Sequence, residues 1–407
     1  MRLLLILFLI LPYCSNAQFY NGSNQEFGKN RVQYFGFDWR TQNYERFKLY
    51  FYRGEGDYAD YVAQQVQIEL LDLEERLNFQ IEEHIEILLF KSLTELRQSN
   101  IGLSNENFAS YGGKSQIVGS KLLIYYEDDH NSLNQQIREI VAETAIRKIL
   151  YGNQWSDILI GNDPNKNPAW FTQGFVHFLS REWDADFESK LKDGFLSNRF
   201  ENFSLLTDEE EPIAGHAFWN YIQETYGRSQ LLSILFVTRN VGHIDRTLQY
   251  LLGSSTQELL PEFNNFYKKR FLADIKYQEE VSGTEITPRL KKRAKLTTVA
   301  VNDQGDKMVY VANLEGRYKL YLQDFTSDKT KKIIANEPRL LRIQDESFPV
   351  ATFHPSGDYF VYFIERKGLL MFNLYDIGES TTLTKEVPSL EKILSCDYSS
   401  DGKSIVL

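Results

Sequence analysis

The residues best suited to chemistry lie in two stretches near the middle of the chain, "IREIVAETAIRKIL" at 137 to 150 and "NPAWFTQGFVHFLS" at 167 to 180. Hydrolysis at a protein-bound zinc ion needs two imidazoles one helical turn apart, a carboxylate beside the first as general base, and a third ligand from elsewhere. The first stretch supplies two carboxylates, Glu139 and Glu143, of which Glu143 is the candidate, and the second supplies Gln173 and His177, spaced to share a helix face. Of the six His in the chain, His130 and His216 also fall in or beside this region. His130 follows Glu127, Asp128 and Asp129, a solvated acidic turn whose sharper reading is a weak divalent-cation site. His177 is expected to face solvent, and His216, at the start of the helix "HAFWNYIQETYG", to cap or pack. Glu143 has Glu139 at i−4 and Arg147 at i+4, which predicts a surface ion-pair stripe, with a polar contact in a cleft as the alternative.

Other chemistries find less support. There is no Gly-x-Ser-x-Gly elbow, no phosphate-binding glycine loop and no Cys cluster. The acidic "TDEEEP" at 207 to 212 reads as an exposed loop rather than a glycosidase pair, because two catalytic carboxylates need a defined separation across a cleft. A formal charge of −11 opposes binding to nucleic acid or to an anionic membrane surface. The short basic run "RLKKRAK" at 289 to 295 reads as a solvated linker.

The elements that must position these residues follow from the apolar periods. "RFKLYFYR", "IEILLFK" and "KLLIYY" read as strands. Between the first two lies an amphipathic helix over 57 to 78 carrying Val62, Val66, Ile68, Leu71 and Leu73; a short helix near 92 to 98 and a loop with Gly112-Gly113 precede the third. From 133 to 273 the pattern is helical: Asn167 and Pro168 are suited to N-cap and first turn, Phe218, Tyr221 and Ile222 form an aromatic face, and Gly227 is a C-cap. In "IREIVAETAIRKIL", Ile137, Val141, Ala142, Ala145, Ile146, Ile149 and Leu150 form one broad apolar arc.

The order of these elements, "PAWFTQG", the later "GHAFWNYIQETYG" and the strand "KLLIYY" before the first helix together resemble the gluzincin zinc peptidases. The likeness is greatest to the peptidase-MA-like domains of bacterial envelope proteins, over roughly residues 35 to 275. The resemblance implies an α+β, zincin-like (gluzincin) fold with an α/β part and a helical domain. It places the first His ligand at Ala142, the general base at Glu143, the second His at Ile146 and the third ligand at Gln173. A zinc ion held by Glu143 alone is not credible, and a neutral Gln is a poor zinc ligand. With those ligands replaced, the resemblance implies a pseudoenzyme with no cofactor, no metal and no catalytic residue. Ala142, Glu143, Ile146 and Gln173 would be vestigial, with Glu143, Trp170, Gln173 and His216 as candidate residues of a binding cleft.

Past residue 295 the period changes. "VAVNDQGDKMVYVA", "VATFHPSGDYFVYFI" and "LSCDYSSDGKSIVL" repeat one pattern of strand, polar turn and strand, with Gly305, Gly357 and Gly402 in the turns. Spacings of this size resemble TolB-like β-propeller blades, here the first blades of an incomplete ring. "MRLLLILFLILPYCSNA" reads as a signal peptide cleaved after Ala17, with a lipid anchor at Cys14 disfavoured by the bulky Tyr13. After cleavage one thiol, Cys396, is left, and no later apolar run is long enough to span a membrane.

The expected organisation is a signal peptide at 1–17 and a polar segment at 18–34. A degenerate metallopeptidase-like domain comes next at 35–278, mixed α/β over 35–130 and helical over 131–278, then a basic linker at 279–295 and propeller blades at 296–407. The expected role is that of a non-catalytic binding or scaffold protein in the periplasm or on the surface of a bacterium, with a protein or peptide partner in secretion, envelope assembly or peptide recognition. Peripheral association with the envelope belongs to that expectation, and Gln18 after the cleavage site fits a Bacteroidota-like export. The alternative is an active hydrolase with a non-standard metal site or a catalytic domain beyond residue 407; recognition of a glycan through Trp- and Tyr-rich surfaces is a third.

Overall fold

The computed structural model describes residues 36–52, 54–82, 84–98, 116–118, 121–126, 129–151, 167–276, 294–314, 317–335, 348–367, 369–388 and 392–407, with single positions at 283, 286, 288 and 290. The expected signal peptide, Cys14, the polar segment to 34, Gly112-Gly113 and most of the basic linker lie outside the described residues.

Strands β1 (Trp39–Asn43), β2 (Phe47–Tyr52), β3 (Ile85–Phe90), β4 (Gln116–Val118) and β5 (Lys121–Tyr125) form one sheet in the order β1-β2-β3-β5-β4. β2, β3 and β5 run parallel at its centre, and β1 and β4 pair antiparallel at its edges. Alternation along the strands divides the side chains. Leu49, Ile87, Leu89, Leu122 and Ile124 join the main helical core, while Tyr50, Tyr52, Leu88, Phe90, Leu123 and Tyr125 form a smaller cluster under Phe37 and Trp39.

Helix α1 (Gly56–Leu77) covers the first face through Ala59, Val62, Ala63, Val66, Leu70, Leu73 and Leu77. Ile68 and Leu71, expected on the apolar face, are instead exposed, at 55% and 57%. Counting from Val62 and Val66 in steps of three and four reaches Leu70, Leu73 and Leu77, and misses 68 and 71. The short α2 (Leu93–Gln98) precedes β4, and α3 (His130–Tyr151) follows β5.

α3 is buried over most of its surface. Its apolar arc is buried as expected, but Gln136, Glu139, Glu143 and Thr144 are buried as well. Gln136 acts as a surrogate strand: its Nε2 donates to Tyr125 O at 2.9 Å and its Oε1 accepts from Tyr125 N at 3.0 Å. Among the described residues β4 pairs with residues 121 to 123, and the Gln136 amide answers the Tyr125 backbone two residues further along the same strand.

Helices α4 (Ala169–Ser180), α5 (Ala185–Leu196), α6 (Glu210–Tyr226), α7 (Arg228–Val241), α8 (Ile244–Leu252) and α9 (Thr256–Ile275) complete the helical layer. Asn167 does not cap α4. Its Oδ1 accepts from Ile244 N at 2.8 Å, at the start of α8, a partner 77 residues away. Only the first part of "TDEEEP" is exposed turn, because α6 begins at Glu210, whose carboxylate accepts from Thr207 N at 3.0 Å. Gly227 does end that helix, with φ +89° and its N–H on Gln223 O at 3.0 Å. α4 and α6 meet at backbone distance. A Cβ on Gly174 would stand 2.4 Å from Gly215 Cα, and one on Gly215 would stand 2.0 Å from Trp170 O. Trp219 Nε1 donates across the same crossing to Phe171 O at 3.0 Å.

The C-terminal part consists of antiparallel meanders. β6 (Lys295–Val301), β7 (Lys307–Leu314), β8 (Arg317–Asp324) and β9 (Lys329–Ala335) form one four-stranded sheet. β10 (Val350–Phe353), β11 (Tyr359–Arg366), β12 (Leu369–Asp376) and β13 (Thr381–Glu386) form the next, and the pair β14 (Asp397–Tyr398) and β15 (Ile405–Val406) begins a third. Gly305, Gly357 and Gly402 adopt φ of +70°, +77° and +69°, and each closes the turn between the first two strands of its sheet. The turns nest: Gln304 lies where a Cβ on Gly357 would be, and His354 where a Cβ on Gly402 would be.

Candidate functional site

The residues expected to form a cleft are held mainly by α3, α4 and α6. Ala142 and Ile146 are 1% and 2% exposed and pack into the main core. Glu143 is also buried, which corrects the expected surface stripe, and its carboxylate is paired with Arg147 one turn on along its own helix. Burial pushes the Glu143 carboxyl above the usual carboxylate range, and the Arg147 guanidinium pulls the other way. Gln173 is half-buried on α4.

His177 does not face solvent. It is buried, and its Nδ1 stands 2.9 Å from Nδ1 of His216, in the second turn of α6. One ring must donate and the other accept, so at least one of the two is neutral. Aromatic side chains wall the pair: Phe187 stacks on His216 at 4.3 Å between ring centres, with Phe178 at 5.5 Å and Trp183 at 5.6 Å. Burial lowers the His177 pKa to about 3, assisted by Arg181 and Lys190 and opposed by Asp184. Burial, then His177 and Arg181, lower His216 well below the usual range. Two neutral imidazoles in an aromatic box, each satisfying the other, form a packing unit with a fixed hydrogen bond.

Of the four candidate cleft residues, Trp170 and Gln173 lie on α4 and His216 on α6, beside the close crossing at Gly174 and Gly215, and Glu143 lies on α3. Among the described residues, no hydrogen bond or ring contact joins Glu143, Trp170, Gln173 and His216 to one another. Trp170 is buried at the start of α4 against Phe203, at 4.9 Å, and Phe218, at 5.2 Å. His130 begins α3 with Nδ1 3.2 Å from Tyr126 Oη; Glu127 and Asp128 of its expected cation loop lie outside the described residues. Among the described residues no group of three or more His, Cys, Asp or Glu is gathered as metal ligands would be.

Sequence reasoning missed the histidine pair, although the signal was present: two His lie on helices whose neighbours Gly174 and Gly215 permit contact at backbone distance. It also missed Gln136 and Asn264, buried polar residues on otherwise apolar helix faces.

The structure is thus a mixed α+β assembly: a five-stranded sheet, a helical layer packed on it around an apolar core, and antiparallel meander sheets. No family model matches the chain, and no curated protein matches it. Among solved structures, TolB from Acinetobacter baumannii is similar at 18% identity over 28% of this chain and 26% of its own, with a TM-score of 0.23. The β-propeller domain of the Trilobed protease from Pyrococcus furiosus is similar at 12% identity over 24% of this chain and 30% of its own, with a TM-score of 0.20. The chain thus spans less than a third of either structure, and likenesses at this level fix neither fold nor function. Neither gives support to the gluzincin resemblance. Among the described residues no helix is long and apolar enough to cross a membrane.

Proposed function

We propose that this chain is a non-catalytic, exported binding or scaffold protein of the bacterial cell envelope, a pseudo-metallopeptidase joined to TolB-like propeller blades, with a protein or peptide partner. The observation that supports this reading most is the state of the positions where zinc chemistry would sit. Ala142 and Ile146 are core residues, and the Glu143 carboxylate is committed to Arg147 rather than directed at an open site. A general base needs an accessible carboxylate beside an activated water, and here the carboxylate is buried against its own helix. The nested turns at Gly305, Gly357 and Gly402 favour a repeating blade architecture, whose broad faces suit protein recognition.

The test is capture of envelope partners by the full chain carrying wild-type Glu143 or Glu143→Gln. Equal capture by both, with no peptidase activity in either, is the expected result. A hydrolytic activity that Glu143→Gln abolishes would overturn the proposal.

A further inference from the structure

A groove of about 730 Å³, open to solvent, is lined by the C-terminal end of α1, by α4, by the last turn of α6 and by the start of α7. Leu77, Phe175, Leu179 and Leu231 on its lining are buried, whereas Phe178 and Leu232 are only half-buried. The apolar surface continues beyond it. Phe236, one turn past Leu232 on α7, is 36% exposed and meets Phe79, two residues past the end of α1, at 6.2 Å between ring centres. Apolar surface left open to water in a groove and along its continuation is suited to another apolar surface.

The charges around it have one sign. The charged residues on the lining are Arg76 and Arg228, and among the described residues no Asp or Glu lines the groove, in a chain whose net charge is −11. Both guanidinium groups are held at the groove, because each reaches the backbone of another lining residue. Arg76 Nη1 donates to Leu179 O at 3.1 Å, and Arg228 Nη2 donates to Arg76 O at 3.1 Å. Arg76 is partly answered by the exposed Asp72, 3.5 Å away and one turn back on α1. Arg228 forms no ion pair among the described residues, and its bond to Arg76 O uses one of its five N–H donors. Gln223 adds an uncharged side-chain amide to the lining, a donor and acceptor that suits a peptide bond.

We infer that this groove docks a short peptide segment in which apolar side chains flank an acidic residue. The apolar side chains lie over Phe178, Leu231 and Leu232, and the carboxylate is held by Arg228 with Arg76 beside it. A peptide fits better than a fatty acid, because the groove is open, carries an amide and continues to Phe79 and Phe236. The inference rests on the proposed role in binding a protein or peptide, to which it adds a place and a chemistry for the partner; it does not depend on Glu143.

The experiment is calorimetric titration of the full chain at physiological salt with four probes. These are capped Phe-Glu-Leu-Phe-Glu, the same peptide with Lys for Glu, the same peptide with Gly for its apolar residues, and sodium decanoate. Saturable one-site binding of the acidic apolar peptide is expected, with the other three about tenfold weaker or absent. Arg228→Gln should weaken that binding about tenfold or more through lost charge-assisted hydrogen bonds, and Leu232→Ser about fivefold or more through lost apolar contact. Arg228→Lys keeps the charge but loses the planar fork, so it should fall between wild type and Arg228→Gln. Arg239→Gln, an exposed arginine near the other end of α7 and outside the groove, should change nothing. The hydrogen bond that Arg228 makes is exposed, so Arg228→Gln should melt with the wild type, which separates lost binding from lost folding. Absence of saturable binding for the acidic peptide, equal affinity in wild type, Arg228→Gln and Leu232→Ser, or tighter binding of decanoate or of the lysine peptide, would overturn the inference. These titrations read the groove alone, so their failure leaves the partner-capture result to decide the proposed function.

Discussion

Gly215→Ala pits two effects of opposite sign against each other. Gly215 sits inside α6, where replacing Gly by Ala raises helix propensity by about 1 kcal/mol. Packing opposes this. The new methyl would stand 2.0 Å from Trp170 O, 2.6 Å from Gly174 Cα and 3.0 Å from Trp170 C, and all three are backbone atoms. No rotamer change can relieve such a clash, so α4 and α6 must part by roughly 1 Å or more to reach ordinary contact distance. Overpacking of this kind costs about 1–3 kcal/mol and sometimes more, and this case belongs at the upper end because backbone meets backbone. Parting the helices also stretches the Trp219 to Phe171 bond and the His177 to His216 contact, both across the same crossing. The net expectation is destabilisation by about 2 kcal/mol or more. Urea unfolding followed by tryptophan fluorescence measures it, since Trp170, Trp183 and Trp219 all report on this region, with the exposed Ser189→Ala as a control expected to shift little. A midpoint for Gly215→Ala equal to or above wild type would refute the close crossing.

The same geometry sets further outcomes. The folded His177 and His216 pKa values lie below the unfolded value, so the unfolded chain binds more protons, and stability should fall as pH drops from about 6.5 toward 3. His216→Gln, which removes one titrating ring, should flatten that slope in thermal melts recorded from pH 7 to 4; an unchanged slope would place the acid sensitivity elsewhere. Gln136→Leu strips the Tyr125 backbone of both partners inside the core and should cost about 2–4 kcal/mol in chemical denaturation. Gly357→Ala meets both a positive φ and the Gln304 side chain, so it should destabilise the second meander by about 1 kcal/mol or more, while Gln304→Ala made together with it should recover part of that loss.

The sequence was legible where local rules act alone. Three of the five strands of the first sheet, the helix from Gly56 to Leu77 and the turns at Gly305, Gly357 and Gly402 arise from period and backbone chemistry, and they stand where expected. Readings failed where a partner far along the chain decides. The spacing of Glu143 and Arg147 shows that their ends can meet, but it is silent on whether another layer covers that face; α3 is covered along the face that carries Glu143, so its carboxylate is interior while Arg147 stays partly exposed. The polar residues Gln136, Glu139 and Thr144 among its apolar ones were the available warning. His177 reads as solvent-facing because the resembled family leaves that position variable and often charged, yet α6 brings His216 to it. Asn167 has the type of a cap, but the backbone N–H that claims it belongs to α8.

Whether the Glu143 region can hold a metal decides between a scaffold and an enzyme. The most direct measurement is the zinc bound per chain after incubation with excess zinc and gel filtration, for wild type and for the double variant Glu143→Ala/His177→Ala. Buried, ligand-poor helices predict less than about one tenth of an equivalent in both, on the order of adventitious binding. One equivalent in the wild type, lost in the double variant, would contradict this and restore the chain to the working metallohydrolases.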